Sequence, residues 1–313
     1  MRVLITGAAG FIGQIVASKL LEDESNELVL TDVIEPPIPS SKSHNNVKLI
    51  KADLVDEATK VVLESLDAAI LLHGIMSSGA EANFELGYRV NVDATRSVLN
   101  LLAKRCPGVR VLYASSEAVY GRPVPAQNVT EDDIPSPEMS YGCRKVICET
   151  LNDYTRRNMI NGFALRFPTI SVRPGPPSTA VSSFLSGVIR EPLNGQKCTI
   201  PLQDRAWRHW MSSPKTLVHN LMVALTLPKD ALPPHRRAVN MPGFGVTVQD
   251  MLDALEEVGG KDKLLLVEEK DDPELNSLLY SWADHFDNSL AISLGMKQDT
   301  SFVQSARDYL ETL

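Results

Sequence analysis

The sequence is poor in cysteine, and the thiols that it has are scattered. Only Cys106, Cys143, Cys148 and Cys198 occur among its 313 residues. No two of them form a CxxC pair, and no histidine stands at the spacing that a zinc site requires. A disulfide framework and a structural zinc site are therefore excluded, and we expect reduced thiols and no bound metal.

Long apolar runs are also missing. The longest candidate, around residues 68–76, is interrupted by His73 and Gly74 and falls well short of the ~20 residues that a membrane helix requires. The N-terminal segment reaches a glycine turn at Gly7, which is too early for the apolar region of a secretory signal. We therefore expect a soluble, cytoplasmic protein with no membrane partner.

Positive charge is in the minority. Lysine and arginine number 31 against 39 aspartates and glutamates, which gives a formal net charge of -8. A nucleic-acid partner would require a clustered basic surface to neutralise phosphates. We therefore expect a small-molecule substrate and no nucleic acid.

What the sequence does contain, in its first half, is an alternation of β-branched runs with helical patterns. This alternation is typical of a parallel sheet with crossover helices. The expected strands cover residues 2–6, 27–31, 47–51, 68–72, 109–114 and 162–167. The expected helices cover residues 11–21, 81–105 and 138–158, and an exposed proline-rich loop covers residues 35–43. The predicted fold is α/β, with a Rossmann-type doubly wound parallel sheet.

A glycine-rich turn, TGAAGFIG at residues 6–13, joins the first strand to the first helix. Gly7 permits the tight turn, Gly10 lets the backbone approach a pyrophosphate, and Gly13 lets the helix and strand pack closely. The pyrophosphate would meet the positive end of the helix dipole, where Phe11 and Ile12 form the first turn. A tight turn without a ligand explains the glycines alone, but their place after the first strand favours a dinucleotide site.

Acidic residues follow the second and third strands. Asp32 ends the second strand, where a carboxylate can accept both ribose hydroxyls of NAD and would repel the 2′-phosphate of NADP. NAD is therefore the expected cofactor. Asp53 and Leu54 follow the third strand and are expected to touch the adenine, although a helix N-cap is nearly as good an explanation of Asp53.

The candidate reacting groups come next along the chain. Ser115 and Ser116 end the fifth strand, and the carboxyl ends of parallel strands face the ligand crevice. Tyr141 and Lys145 are four residues apart on the following helix, so the phenol and the ammonium share one face. A tyrosine with an ordinary pKa of about 10 is a poor base near neutrality, but an adjacent ammonium and the cationic nicotinamide both favour its phenolate. Each feature alone occurs by chance, and their order along the chain makes the prediction.

The chain resembles the extended short-chain dehydrogenase/reductase family, which includes the NAD-dependent epimerases and dehydratases of nucleotide sugars. The likeness covers nearly the whole chain, through TGAAGFIG, Asp32, Asp53-Leu54, NVDAT, SSEAVYG, YGCRK and RFPTISVRPG. It implies that Tyr141 accepts the proton and that Lys145 holds the ribose and tunes Tyr141. It also implies that Ser116, four residues before the tyrosine of VYG, binds the substrate oxygen. These three are the expected catalytic residues.

The resemblance also extends the cofactor site. Asn91 lies in the family's helix-four position, and the backbone from Phe167 to Thr169 would cover the nicotinamide. The full set of expected cofactor contacts is Gly7, Gly10, Phe11, Ile12, Gly13, Asp32, Asp53, Leu54, Asn91, Tyr141, Lys145, Phe167 and Thr169.

The sequence departs from the family pattern at His73, which stands in Leu71-Leu72-His73-Gly74 where relatives usually carry an alanine of His-x-Ala-Ala. It either reshapes the nicotinamide wall or is a satisfied loop histidine, and we slightly favour the second explanation.

After residue 167 proline and glycine become frequent, and helical patterns at residues 187–193, 214–226 and 247–258 are separated by irregular segments. We therefore predict an NAD-binding Rossmann domain over residues 1–168 and a smaller, mainly substrate-binding subdomain over residues 169–313. The boundary is soft, because such subdomains often exchange strands with the main sheet.

Within the family, several stretches, including residues 77–91 and 207–214, are similar to the D-erythronate dehydrogenase group. Members of that group oxidise a secondary alcohol of a four-carbon sugar acid with NAD, which implies a small sugar acid as the substrate here. The expected substrate contacts are Ser77, Ser116, Tyr141, Arg173 and Arg190. A substrate carboxylate needs a cation, which Arg173, Arg190 or Arg208 could supply, although each could also form a structural ion pair.

Two other functions stay open. A nucleotide-sugar epimerase or dehydratase would use the same site, but RPGPPS stands here in place of the RPxNxYGP segment usual in such enzymes. A non-catalytic NAD-binding regulator would tend to lose the tyrosine or the lysine, and both are present.

By resemblance we also expect a homodimer built on the helices of residues 81–105 and 138–158, with Val146, Ile147 and Leu151 as candidate contacts.

Overall fold

The computed structural model describes residues 1–39, 46–125, 127–177 and 181–313. The strands within these ranges are β1 (Arg2–Thr6), β2 (Glu27–Asp32), β3 (Val47–Lys51), β4 (Ala68–Leu71), β5 (Arg110–Ser116), β6 (Asn161–Phe167), β7 (Thr169–Ile170), β8 (Cys198–Ile200), β9 (Arg208–Ser212), β10 (Ala238–Asn240), β11 (Phe244–Thr247) and β12 (Val267–Glu269).

Seven of these strands form the central sheet, in the order β10-β6-β5-β4-β1-β2-β3. Strand β1 pairs in parallel with β2 on one side and with β4 on the other. The strand order therefore reverses between β1 and β4, and such a switch point opens a crevice at the carboxyl ends of the strands. The prediction of a Rossmann-type doubly wound sheet is confirmed. Two smaller sheets have the orders β11-β9-β7 and β12-β8.

Helices connect the strands. Those in the described ranges are α1 (Phe11–Leu20), α2 (Leu54–Val61), α3 (Ser77–Ala82), α4 (Phe84–Tyr88), α5 (Ala94–Arg105), α6 (Ser140–Cys148), α7 (Leu151–Arg156), α8 (Phe184–Leu193), α9 (Pro214–Thr226), α10 (Val248–Gly259), α11 (Lys261–Leu264), α12 (Pro273–Leu279), α13 (Ser289–Ser293) and α14 (Phe302–Leu310), with a π-helical turn at Arg89–Asp93. In this part of the chain, none of the helices combines the length and the apolar character needed to cross a membrane.

The prediction of one continuous helix over residues 81–105 is wrong. The helical segment begins at Ser77 and breaks at Asn83, whose backbone is extended and whose side chain accepts a hydrogen bond from Leu86 N at 3.0 Å. An asparagine that bonds a nearby backbone amide in this way competes with the helix and starts a new one. The π-helical turn then precedes α5. The expected helix over residues 138–158 is likewise two helices, α6 and α7.

Other elements follow the sequence prediction closely. β1, β3 and α9 have the expected bounds, and α10 begins after the capping residue Thr247. The short strands β7 to β12 were not expected from the sequence. Residues 35–39 of the expected proline-rich loop form no regular element, and residues 40–43 lie outside the described ranges.

Contacts divide the chain into two units. Unit 1 comprises Met1–Val119, Met139–Arg166 and Asn220–Val239, and unit 2 comprises Tyr120–Glu138, Phe167–His219 and Asn240–Leu313. Each unit has its own apolar core. The cores include Leu4, Leu71, Val98 and Val111 in unit 1 and Leu185, Ile200, Met251 and Ala306 in unit 2. The chain therefore passes between the units several times, and the crossing between Arg166 and Phe167 is only one of these.

Candidate active site

The glycine turn between β1 and α1 packs without room for side chains. Gly7 has a φ of 66°, and a Cβ built on it would lie 2.7 Å from the carbonyl carbon of Leu72. A Cβ on Gly13 would lie 2.6 Å from Gly7 O. Gly10 is exposed and is the N-cap of α1, with no side chain capping the helix. The backbone amides at this helix start are therefore open to an anion, and the turn fits the pyrophosphate of a dinucleotide.

Phe11 and Ile12 form the first turn of α1 and are both half-buried. Beside them, the Asp32 carboxylate is held by two backbone amides. Asp32 Oδ2 accepts from Ala9 N at 3.0 Å, and Asp32 Oδ1 accepts from Val33 N at 2.7 Å. These bonds fix the carboxylate next to the glycine turn, while each oxygen keeps lone pairs for further donors.

Asp53 and Leu54 have local structural roles. Asp53 is the N-cap of α2, and its carboxylate accepts from Val55 N at 3.0 Å. Leu54 is buried in the apolar core of unit 1. The helix-cap explanation of Asp53 therefore describes its contacts in this structure, and contact of either residue with adenine stays a prediction.

Ser116, Tyr141 and Lys145 come from β5 and α6. Lys145 Nζ donates to the carbonyl oxygen of Ala114 at 2.5 Å and lies 5.3 Å from the centre of the Tyr141 ring. Ser116 Oγ accepts from Ala118 N at 3.2 Å, which orients the hydroxyl and leaves it able to donate its own proton. One hydroxyl, one phenol and one ammonium thus belong to a single strand–helix pair of unit 1.

A second phenol, that of Tyr113, also lies next to Lys145. Its ring centre is 4.9 Å from Lys145 Nζ. Tyr113 is almost fully buried, and this burial, together with the neighbouring Cys148, raises the pKa of its hydroxyl well above the ordinary value. Tyr113 therefore stays protonated and is unsuited to act as a base.

Asn91 is buried in the π-helical turn, and both polar atoms of its side-chain amide bond the backbone of Ile75. Asn91 Oδ1 accepts from Ile75 N at 2.7 Å, and Asn91 Nδ2 donates to Ile75 O at 3.0 Å. Asn91 thus holds the backbone that follows β4. The Asn91 side chain would therefore affect a cofactor by holding the backbone at Ile75 in place.

His73 is hydrogen-bonded on both ring nitrogens. Nδ1 lies 2.7 Å from Thr6 Oγ1, and Nε2 lies 3.1 Å from Thr95 Oγ1. The Thr95 hydroxyl donates to Asn91 O at 2.8 Å, so it can only accept from His73. His73 is therefore the Nε2–H tautomer, and its Nδ1 accepts from Thr6. Burial of the ring, with a smaller effect of the Lys145 ammonium, lowers the pKa of His73 to about 3.

The explanation of His73 as a satisfied loop histidine therefore fits these bonds. Its partners Thr6 and Thr95 were not singled out from the sequence. Neither were Glu149 and Arg166, which form a buried ion pair below the reacting residues. The spacing of Glu149, four residues after Lys145, is the signal that could have indicated it.

Phe167 and Thr169 belong to unit 2. Phe167 is buried, and Thr169 Oγ1 lies 2.7 Å from His209 Nε2. The His209 ring stacks on Trp207 at 5.6 Å and lies 5.0 Å from the ring of Trp282. Thr169 thus adjoins an aromatic cluster of unit 2.

The three candidate cations for a substrate carboxylate are also in unit 2, in different settings. Arg190 is buried, and its Nη2 lies 2.6 Å from Glu191 Oε1, while its Nη1 donates to Arg173 O at 3.0 Å. Arg173 is half-buried, and Arg208 is exposed and paired with Asp284 at 3.1 Å. Ser77 begins α3, and its side chain lies outside the described part of the structure.

A change at His73 tests its neutral state. In the unfolded chain a histidine protonates near pH 6.5, whereas His73 in the folded protein protonates near pH 3. The unfolded state therefore binds more protons between these values, and the free energy of unfolding falls as the pH drops. The variant His73→Gln keeps an acceptor and a donor but cannot be protonated. Between pH 7.5 and pH 5 we expect the free energy of unfolding to fall by roughly 1–2 kcal/mol less in this variant than in the wild type.

Urea unfolding of both proteins at the two pH values measures this difference. The other five of the six histidines are common to both proteins, so their contributions cancel. An equal loss of stability in the wild type and His73→Gln would mean that His73 is charged in the folded protein.

Comparison with known proteins points to one family. A model of the NAD dependent epimerase/dehydratase family matches residues 3–235. The chain is 36% identical over 316 residues to a D-erythronate dehydrogenase of Haemophilus influenzae, with 99% of each protein covered. It is 37% identical to a D-erythronate dehydrogenase of Cupriavidus necator, over 99% of this chain and 98% of that protein.

Among solved structures, a nucleoside-diphosphate-sugar epimerase from Agrobacterium tumefaciens matches with a TM-score of 0.93 at 34% identity, over 99% of this chain and 94% of that one. The family match, the glycine turn and the held Asp32 agree on NAD as the cofactor. The chain therefore belongs to the NAD dependent epimerase/dehydratase family.

Proposed function

We propose that this protein is an NAD-dependent dehydrogenase that oxidises a secondary alcohol of a small sugar acid such as D-erythronate, or reduces the matching ketone. The observation that carries the proposal is the position of Lys145, bonded to Ala114 O and 5.3 Å from the Tyr141 ring. The choice of substrate rests on the two full-length relatives named D-erythronate dehydrogenase.

We assign NAD binding to unit 1 and most of the substrate binding to unit 2. The turn residues Gly7, Gly10, Phe11, Ile12 and Gly13 would face the pyrophosphate, because the turn leads into the uncapped N-terminus of α1. Asp32 would accept the ribose hydroxyls. The remaining proposed cofactor contacts are Asp53, Leu54, Asn91, Tyr141, Lys145, Phe167 and Thr169.

The chemical step would use three side chains of unit 1. Bound NAD would supply the acceptor for the hydride that leaves the carbon bearing the hydroxyl. Tyr141 takes the proton of that hydroxyl as the carbonyl forms, and the ammonium of Lys145 favours the phenolate that this transfer needs. The Ser116 hydroxyl, oriented by Ala118 N, donates to the same substrate oxygen.

For the substrate carboxylate we propose Arg173, with Ser77 as a further substrate contact. Arg173 is half-buried, and the buried Arg190 holds its carbonyl oxygen. The Arg190 guanidinium is already paired with Glu191, which offsets the cost of burying its charge. Arg190 would then act by holding the backbone of Arg173 and not by touching the carboxylate.

A nucleotide-sugar epimerase is the second candidate. The 34% identity to the epimerase of known structure favours it. Such an enzyme would oxidise a bound sugar and then reduce it again with the same cofactor, so it would produce no net NADH. A panel of substrates separates the two functions.

The decisive experiment follows NADH formation at 340 nm with four- to six-carbon sugar acids, each against the matching neutral sugar. We expect oxidation of a sugar acid, with D-erythronate among the best, and little oxidation of the neutral sugars. Interconversion of a nucleotide sugar without net NADH, and no reaction with any sugar acid, would show that the protein is an epimerase.

Variants of Tyr141 and Lys145 should differ in their kinetic signatures. Tyr141→Phe removes the base and keeps most of the ring packing, so kcat should fall by about 10²–10⁴ with little change in NAD affinity. Lys145→Ala should lower kcat and also weaken NAD binding, because Lys145 is assigned to both the ribose and the phenol. Ser116→Ala should have an intermediate effect on kcat. These values come from steady-state kinetics and NAD titration, and near-normal turnover of Tyr141→Phe would refute the mechanism.

We also propose a homodimer through α4 and α6 in a cytoplasmic location. Phe84, Leu86 and Ile147 are apolar, and their exposed fractions are 58%, 41% and 38%. Leu151, which the sequence suggested as a contact, is fully buried in the core of its own unit. A second copy of this chain would cover the exposed residues by two-fold symmetry.

Sedimentation tests the dimer. We expect a dimer at micromolar concentration and a monomer for Ile147→Glu, because a buried unpaired carboxylate is costly in an apolar contact. An exposed apolar residue of unit 2, Leu265, provides the matched control, and Leu265→Glu should remain dimeric. A wild-type monomer would contradict the proposal.

A further inference from the structure

Beneath the reacting residues lies a buried polar cluster that the chemical step does not use. The carboxylate of Glu149 accepts three hydrogen bonds, from Ser115 Oγ at 2.7 Å and from Arg166 Nε and Nη2 at 2.8 and 2.6 Å. The exposed fractions of Ser115, Glu149 and Arg166 are 2%, 8% and 5%. Apolar residues of similar volume often stabilise a core equally well. Stability alone therefore gives no reason for this cluster.

The cluster joins the two elements that carry the reacting groups. Ala114, Ser115 and Ser116 are consecutive on β5, and Tyr141, Lys145 and Glu149 follow one another at four-residue spacing along α6 and its C-cap. Ala114 O accepts from Lys145, and Ser115 Oγ donates to Glu149. Two successive strand residues thus hold two successive turns of the helix.

Two directional bonds restrict both the sliding and the rotation of α6 on β5. Apolar packing is non-directional and tolerates small shifts, whereas a hydrogen bond weakens steeply when its length or angle changes. Arg166 lies on β6, the neighbour of β5 in the sheet, and holds both carboxylate oxygens. The carboxylate therefore cannot follow the helix if α6 moves.

We infer that Ser115 and Glu149, anchored by Arg166, are positioning residues that set α6 on β5 so that Tyr141 and Lys145 meet the substrate oxygen held by Ser116. This inference rests on the proposed function for its catalytic consequence. The mechanical part, the fixing of α6 on β5, is independent of the substrate.

Ser115→Ala is the informative variant. It removes one bond of Glu149, keeps the ion pair with Arg166 and changes no charge. Truncation of Glu149 would leave Arg166 buried and unpaired, and that protein could fail to fold. Because misplacement of reacting groups by about 1 Å can cost on the order of 10²-fold in rate, we expect kcat to fall by roughly 10- to 100-fold. The NAD KM should change little, because Lys145 keeps its bond to Ala114.

Rescue by a conservative variant separates positioning from stability. Ser115→Thr restores the hydroxyl that donates to Glu149. Its kcat should return toward the wild-type value, while its NAD KM should stay near that of the wild type.

Thr155→Val is the matched control. The Thr155 hydroxyl is also buried in unit 1, accepts from Gly162 N at 3.1 Å and lies on α7, away from the reacting groups. Its loss should lower the thermal stability to a similar extent and leave kcat unchanged. Equal kinetic losses in Ser115→Ala and Thr155→Val, or wild-type kinetics in Ser115→Ala, would overturn the inference.

Amide hydrogen exchange provides a readout that needs no substrate. In the full-length protein, Ser115→Ala should speed exchange over residues 140–148, and Thr155→Val should not. Unchanged exchange in Ser115→Ala would refute the positioning role whatever reaction the protein catalyses. Faster exchange together with a wild type that oxidises no sugar acid would refute the proposed function and leave the positioning role standing.

Discussion

The contact between the glycine turn and the backbone after β4 is the constraint on which the rest of the site depends. At Gly7 a Cβ would come within 2.7 Å of the carbonyl carbon of Leu72, so the two backbones approach more closely than any side chain permits. This contact lies at the switch point of the sheet, between β1 and β4. The start of α1 stays open beside this contact. Asp32 is bonded to Ala9 N of the glycine turn, and His73 is bonded to Thr6, the residue before Gly7.

The segment after β4 is held by a chain of neutral hydrogen bonds. Thr6 donates to His73, His73 donates to Thr95, and Thr95 donates to Asn91 O. The amide of Asn91 in turn clamps Ile75. Burial of the ring and, to a smaller extent, the Lys145 ammonium lower the pKa of His73, so the histidine of this chain of bonds stays neutral.

The sequence was sufficient to predict the elements that strong local patterns specify. β1, β3 and the glycine turn are examples, because β-branched runs and glycine spacing depend on few distant contacts. The break at Asn83 was missed, because an apolar periodicity continues across it and only the capping bond reveals it. The setting of Arg190 could not be read from the sequence either. Its partner Glu191 is the next residue, and only the fold buries the two side chains together.

The relatives that share this fold have different names, among them a D-erythronate dehydrogenase and a nucleoside-diphosphate-sugar epimerase. Removal of a hydride and a proton from a carbinol is common to a dehydrogenase and to the first half of an epimerase reaction, so the proposed roles of Ser116, Tyr141 and Lys145 would suit both. What differs is whether the oxidised substrate stays bound, turns and is reduced again. That difference depends on the size and charge of the substrate site and not on the Tyr-x-x-x-Lys pair. In unit 2 the side chains of Arg190 and Glu191 form a buried pair, and the rings of Trp207, His209 and Trp282 pack together. Under the proposed function, the charge that selects a small sugar acid comes from Arg173, whose carbonyl oxygen Arg190 holds.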